Sequence, residues 1–195
     1  MNFVDLGLPS GTLWTTCNIG AESPEKQGNY YSWGEIRTKS NYTLHSYLGD
    51  VERNLTKYCG NSNCGEGGYT DDLSALESID DVASIQWGKQ CRIPSMEQWE
   101  ELYDNCTIKW VGKDNGKLSG CVVKSKSNSN SIFLPACGYI DIAIVKEKNI
   151  QGFYWSRDLF TDDPYQARCC IISKNGMAQS ETPRNIGCNI RPIFI

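Results

Sequence analysis

The stretch from Gly152 to Phe194 reads GFYWSRDLFTDDPYQARCCIISKNGMAQSETPRNIGCNIRPIF, and the rest of the chain is interpreted around it. Segments typical of a strand scaffold alternate in it with residues that follow no strand or helix pattern. The irregular residues combine both charges with large aromatic rings. Arginine and aromatic residues beside small polar ones are typical of binding surfaces. We therefore expect this stretch to carry a ligand-binding surface that the preceding residues hold in place.

Length and charge limit the possible classes of protein. The chain has 195 residues, enough for one domain (1–195), because at this size roughly 70% of the surface of the unfolded chain becomes buried. The net charge is −4 and no basic run is present, so nucleic acid is not an expected partner. No apolar run approaches the roughly 18 residues that span a bilayer, and we expect no membrane insertion. The first residues lack the basic and apolar segments of a signal peptide.

The ten cysteines leave two alternatives open. They favour an oxidising, extracellular context, since disulfides persist outside the cytosol. They are equally consistent with small buried thiols. Cys169 and Cys170 should not bond to each other, because neighbouring side chains diverge on a strand. We expect no metal site and no cofactor: Cys59 and Cys64 could supply half of a zinc site, but no second pair with ligand spacing follows, and His45 is the only histidine.

Capping patterns predict three helices. Ser23-Pro24-Glu25 indicates a short helix that ends at Gly28, and Ser78–Asp81 opens a second helix that ends at Gly88. The third begins after Ser95, with which Gln98 forms a capping box. Its apolar face is expected to be buried and consists of residues spaced at i, i+3, i+4 and i+7: Trp99, Leu102, Tyr103 and Cys106.

Strands are expected mainly in the second half of the chain. Residues 34–70 are polar and without periodicity, so we expect loops there. The order of helices followed by strands favours an α+β fold, with Phe133 and Trp155 in its core. The predicted strands are Phe3–Leu8, Leu13–Ile19, Asn29–Trp33, Leu118–Lys124, Ser131–Leu134, Gly138–Val145, Phe153–Ser156, Gln166–Ser173 and Gly187–Phe194.

Several segments resemble a known family. The opening, Val4 to Trp14 followed by Cys17–Ala21, resembles that of the Fibrobacter succinogenes major paralogous domain, which is abundant in gut Bacteroidetes and their phages. Further segments fit the same pattern, so that the resemblance covers nearly the whole chain: Tyr31–Glu35, Asp80–Ala83, Ser131–Ala136, Tyr154–Ser156 and Ile190–Pro192.

A wider resemblance concerns the segment Arg92–Glu100, which is similar to the one that leads into a helix of formylglycine-generating enzymes. Those enzymes have a variant of the C-type lectin fold. The resemblance therefore implies that fold here: a small twisted antiparallel sheet, two main helices and much irregular loop. Periodicity alone indicates only the α+β class.

Some proteins of this kinship are targets of diversity-generating retroelements, and residues 152–194 resemble their variable C-terminal region. Tyr154–Ser156, Arg184 and Arg191-Pro192 match the fixed frame of such a region. The resemblance implies that the residues between the frame positions contact the ligand. The predicted ligand residues are Arg157, Asp158, Phe160, Asp162, Asp163, Tyr165, Arg168, Thr182, Pro183, Asn185 and Ile186.

The expected function is therefore the binding of a protein or glycan ligand on a cell surface, by an extracellular protein of a bacterial surface or a phage virion. An undiversified carbohydrate- or protein-binding domain is the alternative. An enzyme of the formylglycine-generating type is not expected, since that chemistry needs two cysteines separated by four residues near the C-terminal strands, and Cys169, Cys170 and Cys188 do not fit. A calcium-dependent lectin is disfavoured because the Glu-Pro-Asn type of sugar-binding motif is missing.

Overall fold

The computed structural model describes residues 2–47, 55–112 and 118–195. Over these ranges the fold is mostly sheet, with two α-helices and several small antiparallel sheets, consistent with the predicted α+β class. Helix α1 is Val82–Trp87 and helix α2 is Met96–Asn105. The strands are β1 Phe3–Asp5, β2 Leu13–Thr15, β3 Cys91–Arg92, β4 Cys106–Val111, β5 Gly120–Ser125, β6 Ser131–Pro135, β7 Tyr139–Asp141, β8 Ile144–Lys146, β9 Gln151–Leu159, β10 Gln166–Ser173, β11 Gly176–Pro183 and β12 Ile193–Phe194.

The strands of the described ranges form four sheets. The sheet β1-β2-β12-β3 joins the first strands of the chain to its last one. The C-terminal stretch forms the antiparallel sheet β11-β10-β9, β4-β5-β6 is a second antiparallel meander, and β7 pairs with β8. Sequence patterns did not predict β4. It begins at Cys106, directly after α2, whereas the predicted helix face included that residue.

Helix α2 begins as the sequence predicts. Ser95 Oγ accepts a hydrogen bond from the backbone N–H of Gln98 at 3.2 Å, and Gln98 Oε1 accepts one from the backbone N–H of Ser95 at 2.9 Å. Trp99 and Leu102 are buried, with 1% and 0% exposure. The prediction that Tyr103 is buried is wrong. This side chain is 51% exposed, because the buried face of α2 is centred on Trp99 and Leu102 and Tyr103 lies at its margin.

Helix α1 begins at Val82, later than the predicted start at Ser78. Asp81 is its N-cap, and the Asp81 carboxylate accepts hydrogen bonds from N–H groups of the first turn. Gly88 ends the helix with a φ of 93°. The helix predicted at Ser23–Gly28 is wrong, since these residues form turns. A segment this short, without an apolar face to bury, does not offset the cost of helix nucleation.

Strands β9 and β10 lie between two hydrophobic clusters. The α2-side cluster contains Trp99, Tyr154 and Cys170. The loop-side cluster, to which irregular segments of the first half contribute, contains Trp155 and Cys169. Successive side chains of a strand point to opposite faces, so both faces of β9 and β10 are buried. Trp155 is 0% exposed, as predicted. Phe133, which was expected in the core, is half-buried.

Much of the remaining chain is irregular. Residues 34–70 were predicted to form loops. Apart from 48–54, which lie outside the described residues, they contain two short 3₁₀ turns, Leu44–Ser46 and Glu66–Gly68, and isolated bridges. The strand predicted at Gly187–Phe194 is reduced to β12, while residues 187–189 form only single bridges.

Arg191 fixes the irregular approach to the C-terminus. This side chain is 0% exposed, and its guanidinium group donates hydrogen bonds to the Asn18 side chain and to the backbone carbonyls of Thr15, Thr16 and Phe133. Burying a charge without partners is costly. Four charge-assisted hydrogen bonds offset that cost here, and they tie the end of the chain to β2 and β6.

All ten cysteines lie within the described residues, and all are free thiols. Eight of them are buried, whereas Cys17 and Cys64 are half-buried. Of the two alternatives that the sequence left open, the structure therefore has the small buried thiols, five of which fill space in the clusters on both sides of the C-terminal sheet.

Candidate ligand-binding face

The structure places the eleven predicted ligand residues in different surroundings. Asp158, Phe160 and Arg168 make their contacts on the α2 side of the C-terminal sheet, where Asp158 meets the start of α2 and Phe160 meets Arg168. The remaining eight lie near the loop-side cluster, in the β9–β10 loop or around the end of β11. Among the latter, Pro183 is exposed and Ile186 packs against the loop-side cluster.

Asp158 connects β9 to the start of α2. Its Oδ2 atom accepts a hydrogen bond from the backbone N–H of Met96 at 2.5 Å. That N–H is one of the four at a helix N-terminus that have no acceptor within the helix, and the helix dipole favours a carboxylate at this end. Asp158 therefore positions α2 against the C-terminal sheet.

Phe160 and Arg168 are in contact, and Arg168 begins a series of polar contacts toward α2. The guanidinium carbon of Arg168 lies 5.8 Å from the centroid of the Phe160 ring, a cation–π distance. Arg168 Nη1 donates to Gln179 Oε1 at 3.5 Å, and Gln179 Nε2 donates to Glu100 Oε1. We call these four residues the cross-sheet chain. It runs from the end of β9 across β10 and β11 to α2.

A groove of about 340 Å³ lies between α2 and β11, and we call it the α2–β11 groove. The polar residues Glu100 and Gln179 of the cross-sheet chain line it, and the half-exposed Tyr103 borders it. Its apolar lining comes from Met96, Trp99, Cys170 and Met177. A partly apolar concave surface with a few polar groups is the usual form of a ligand site.

Arg157 contacts the loop side of the sheet. Its Nη2 atom donates to the backbone carbonyl of Leu76 at 2.6 Å, and its Nε atom has no hydrogen-bond partner among the described residues. Together with Arg92 and Glu97 it lines a polar recess beside the first turn of α2. Arg157 thus borders a different recess from the α2–β11 groove.

Besides Phe160, the β9–β10 loop contains three predicted ligand residues. Asp162 is exposed. Asp163 closes the turn, because Oδ1 accepts from the backbone N–H of Tyr165 at 3.0 Å and Oδ2 accepts from the Gln166 side chain at 2.8 Å. Tyr165 packs against a small cluster around Tyr47. Asp163 and Tyr165 therefore have structural contacts in addition to any ligand contact.

Thr182 and Asn185 are buried, with 5% and 8% exposure. Thr182 Oγ1 lies 3.1 Å from Cys169 Sγ, and the Asn185 amide donates to the backbone carbonyl of Tyr42 at 2.8 Å. The expectation that all eleven residues share one accessible surface is therefore wrong: nine of them are divided between the α2 side, the loop side and the β9–β10 loop, and Thr182 and Asn185 are not accessible. Each satisfies its polar groups inside the fold, where a ligand has no access.

Arg184, a residue of the predicted frame, is buried among aromatic rings. It is 2% exposed, and its guanidinium carbon lies 4.8 Å from the Trp33 ring centroid. It donates to Tyr47 Oη at 2.8 Å and to the backbone carbonyls of Tyr58 and Pro164. Burial raises the pKa of Tyr47 to about 12, and the charge of Arg184 opposes that rise. Arg184 therefore joins the irregular segments to the end of β11.

The cysteines of the C-terminal stretch are poor candidates for chemistry. Burial raises the pKa of Cys169 to about 12, and it raises the pKa of Cys170 and of Cys188 well above the ordinary thiol value. The thiolate is the form that binds metals and attacks electrophiles. Over the described ranges, no three His, Cys, Asp or Glu side chains gather as a metal site. No helix in those ranges is long and apolar enough to cross a membrane.

Sequence reasoning missed the residues that the structure adds to this face. Glu100 and Gln179 are 79 positions apart, and no local pattern reports their contact. Tyr103 was assigned to the core from its helical spacing. The one sequence feature that could have indicated its exposure is the set of acidic residues on both sides of it in α2.

No protein-family model, no curated protein and no solved structure matches the chain. The function is therefore proposed from the geometry of the cross-sheet chain and the α2–β11 groove, together with the resemblance of the sequence segments.

Proposed function

We propose that the chain is a ligand-binding protein whose C-terminal stretch presents a diversified binding face on a C-type-lectin-like scaffold of the formylglycine-generating-enzyme type. The ligand is a protein or glycan on a cell surface, and the protein acts outside the cell, on a bacterial surface or a phage virion. No enzymatic role, cofactor or metal is assigned. The alternative is an undiversified extracellular domain that binds carbohydrate or protein.

The observation that carries the proposal is the cross-sheet chain beside the α2–β11 groove. Phe160 and Arg168 are half-buried, so both are held in place while part of each side chain remains accessible. Arg168 reaches Gln179, which lines the groove. Aromatic and arginine side chains in such partly desolvated positions are typical of binding hot spots. Substitution at either position would alter the border of the groove without touching the buried frame.

The thiol chemistry favours binding over a formylglycine-generating activity. Cys169 and Cys170 belong to different hydrophobic clusters on opposite faces of β10. Both remain protonated at neutral pH, since burial raises the pKa of each thiol. A pair of cysteines that share one copper ion requires the reverse of both properties.

The proposal is tested by the DNA around the gene. Retroelement diversification randomises adenines of a template, and AAC or AAT codons can then become Arg, Phe, Asp or Tyr but not Gln, Glu, Lys, Met or Trp. We expect a near-copy of the segment that encodes residues 152–192, close to a reverse-transcriptase gene. In that copy the codons for Phe160 and Arg168 should be adenine-rich, while those for Trp155 and Ser156 should be identical.

A locus that holds neither the copy nor a reverse transcriptase would contradict diversification and favour the undiversified alternative. A copy whose differences fall mainly on buried frame positions such as Trp155 or Arg184 would contradict the assignment of the face, because substitution there would disrupt the core.

A further inference from the structure

We infer that the open edge of β11, together with the α2–β11 groove, binds an extended basic peptide, which adds a strand to the sheet β11-β10-β9. The inference rests on the proposed function and deepens it, because it names the class of ligand for this part of the face. Strand addition at a sheet edge is a known mode of peptide recognition. Three independent features of the molecule support it: the backbone of the edge, the charge of the groove lining and the apolar lining of the groove.

Within residues 2–47, 55–112 and 118–195, strand β11 pairs with β10 on one side only. A two-residue turn joins the strands, and Ser173 and Gly176 close it as opposite partners. The hydrogen-bonded pairs of an antiparallel hairpin alternate from that closing pair onward. The residues between them therefore direct their backbone groups away from β10, and these are Met177, Gln179 and Glu181.

These outward groups are almost unused. Among the described residues, the one contact to them from another polar group is a bond of 3.3 Å from the Ser180 hydroxyl to the Glu181 carbonyl. Donors and acceptors on alternate residues repeat at about 6.8 Å, twice the rise of a strand. Another extended chain matches that repeat, which is why open edges attract peptides.

The charged residues that line the groove are acidic. Glu100 and Asp104 of α2 line it, and no Lys or Arg does so among the described residues. The open edge of β11 adds Glu181, and this strand contains no Lys or Arg. Charge complementarity therefore selects a basic peptide over an acidic one.

The groove also suits the side chains of an added strand. Alternate residues of such a strand would face the groove, where Met96 and Met177 offer adaptable apolar contacts. Tyr103, 51% exposed, offers a ring face to a Lys or Arg side chain. Trp99, at 1% exposure, forms part of the apolar floor of the groove.

The direct test is an array of peptides about ten residues long, near the upper length of ordinary strands. Lys or Arg alternates in them with Val, Ile, Leu, Phe or Tyr, and a matched set carries Glu in place of the basic residue. Fluorescence polarisation with the full chain should show binding of basic peptides and binding about tenfold weaker or less for the acidic set. N-methylation of alternate amides in the best binder should also weaken it about tenfold, because it removes the paired N–H groups.

Absence of binding by every basic peptide would overturn the inference. So would equal binding of the N-methylated peptide, which would reduce the interaction to charge alone.

Two variants of one residue separate backbone pairing from side-chain contact. Gln179→Pro removes the outward N–H and leaves the ladder to β10 intact, and proline is tolerated on edge strands. Gln179→Ala removes the same side chain but keeps the N–H. We expect Gln179→Pro to weaken the best peptide about tenfold more than Gln179→Ala does. Equal effects would overturn strand pairing, and the N-methylated peptide still decides the question if the proline variant does not fold.

A second pair of variants tests the contribution of charge to peptide binding. Glu181→Lys should weaken binding of the basic peptide, whereas Glu22→Lys, at an exposed acid outside the groove, should not. An equal loss of peptide affinity in both variants would show that the net charge of the protein alone controls binding, and it would overturn the groove as the site.

A second copy of the chain is the competing occupant of the edge. Sedimentation of wild type as a dimer and of Gln179→Pro as a monomer would overturn the peptide inference. The DNA test remains independent: a template copy without peptide binding would contradict only the ligand class, and peptide binding without a template copy would contradict only diversification.

Discussion

Two arginines of the C-terminal stretch lie against aromatic rings in regions that are built differently. Arg184 is 2% exposed, lies within 6 Å of three ring centroids and donates to one hydroxyl and three backbone carbonyls. Arg168 is half-buried and lies 5.8 Å from one ring, that of Phe160. Among the described residues, its guanidinium group makes one long hydrogen bond, of 3.5 Å to Gln179.

The difference separates the frame from the binding face. Removal of Arg184 would leave buried carbonyls without donors, which costs far more than a normal hydrogen bond contributes. Removal of Arg168 would leave groups that water reaches. The residue type alone therefore does not identify a ligand residue. The number of buried hydrogen-bond acceptors that an arginine satisfies distinguishes a frame residue from a ligand residue.

The largest expected effect follows from Arg184→Ala. We expect a loss of about 3–5 kcal/mol in the free energy of unfolding, because each buried group left unsatisfied costs about 1–3 kcal/mol. Urea denaturation followed by fluorescence would measure it. Arg184→Lys should recover little, since an ammonium group lacks the planar fork that reaches several acceptors. A loss below about 1 kcal/mol would break the comparison, because Arg184 would then behave as a surface residue.

A smaller effect on stability is expected from the ionisation of Tyr47. Its hydroxyl group accepts a hydrogen bond from Arg184 and donates one to the backbone carbonyl of Trp33 at 2.7 Å. Burial raises the pKa of Tyr47 from 10.0 to about 12. The folded state thus holds this proton more tightly than the unfolded chain does. Its contribution to stability is complete below pH 10 and falls as the pH rises toward 12, by about 1.4 kcal/mol per pH unit.

The free energy of unfolding of Tyr47→Phe should therefore fall less steeply with pH than that of the wild type between these pH values. The difference in slope should correspond to one proton. Denaturation curves at a series of alkaline pH values would measure both slopes. Identical slopes would show that the Tyr47 proton is not linked to folding and that the Arg184 region is less enclosed than the contacts indicate.

The smallest effect on stability is expected from Phe160→Ala combined with Arg168→Ala. The cost should be no more than about 1 kcal/mol, as for an exposed cation–π pair. Binding of the labelled protein to bacterial cells that bind the wild type should nevertheless fall about tenfold or more. Lys89→Ala, at another exposed base, serves as control. Unchanged cell binding would show that the ligand binds elsewhere on the protein. An unfolded variant would show that Arg168 is needed for the fold, as Arg184 is.

Local signals in the sequence predicted the parts of the fold that local contacts determine. Ser95 and Gln98 are three positions apart, so their capping box is visible in the sequence and present in the structure. The same kind of signal failed at Ser23–Gly28, where a cap and a proline are followed by no apolar face. Whether a short helix forms depends on what packs against it, and that information lies elsewhere in the chain.

The candidate site was less predictable for the same reason. Arg168 and Thr182 were selected on the same grounds, yet Thr182 meets Cys169 inside the sheet while Arg168 reaches the groove. Which of the two side chains is accessible depends on the face of the sheet to which it points, and the strand register is needed to assign that face. The last residue of the cross-sheet chain, Glu100, comes from a helix far away in the sequence, so the groove could not be anticipated from the C-terminal stretch alone.

The adjacent identical pairs of β10 have a consequence for how the sheet finds its alignment. Cys169-Cys170 and Ile171-Ile172 each divide between the two buried faces. A slip by one residue would still deliver one cysteine and one isoleucine to each face, so core chemistry discriminates weakly against the shifted alignment. The hairpin turn must supply that discrimination, and Gly176 holds a φ of 109° there, in open space. A side chain at this position would clash with nothing, but it would disfavour the turn and so allow two alignments to compete as the sheet forms.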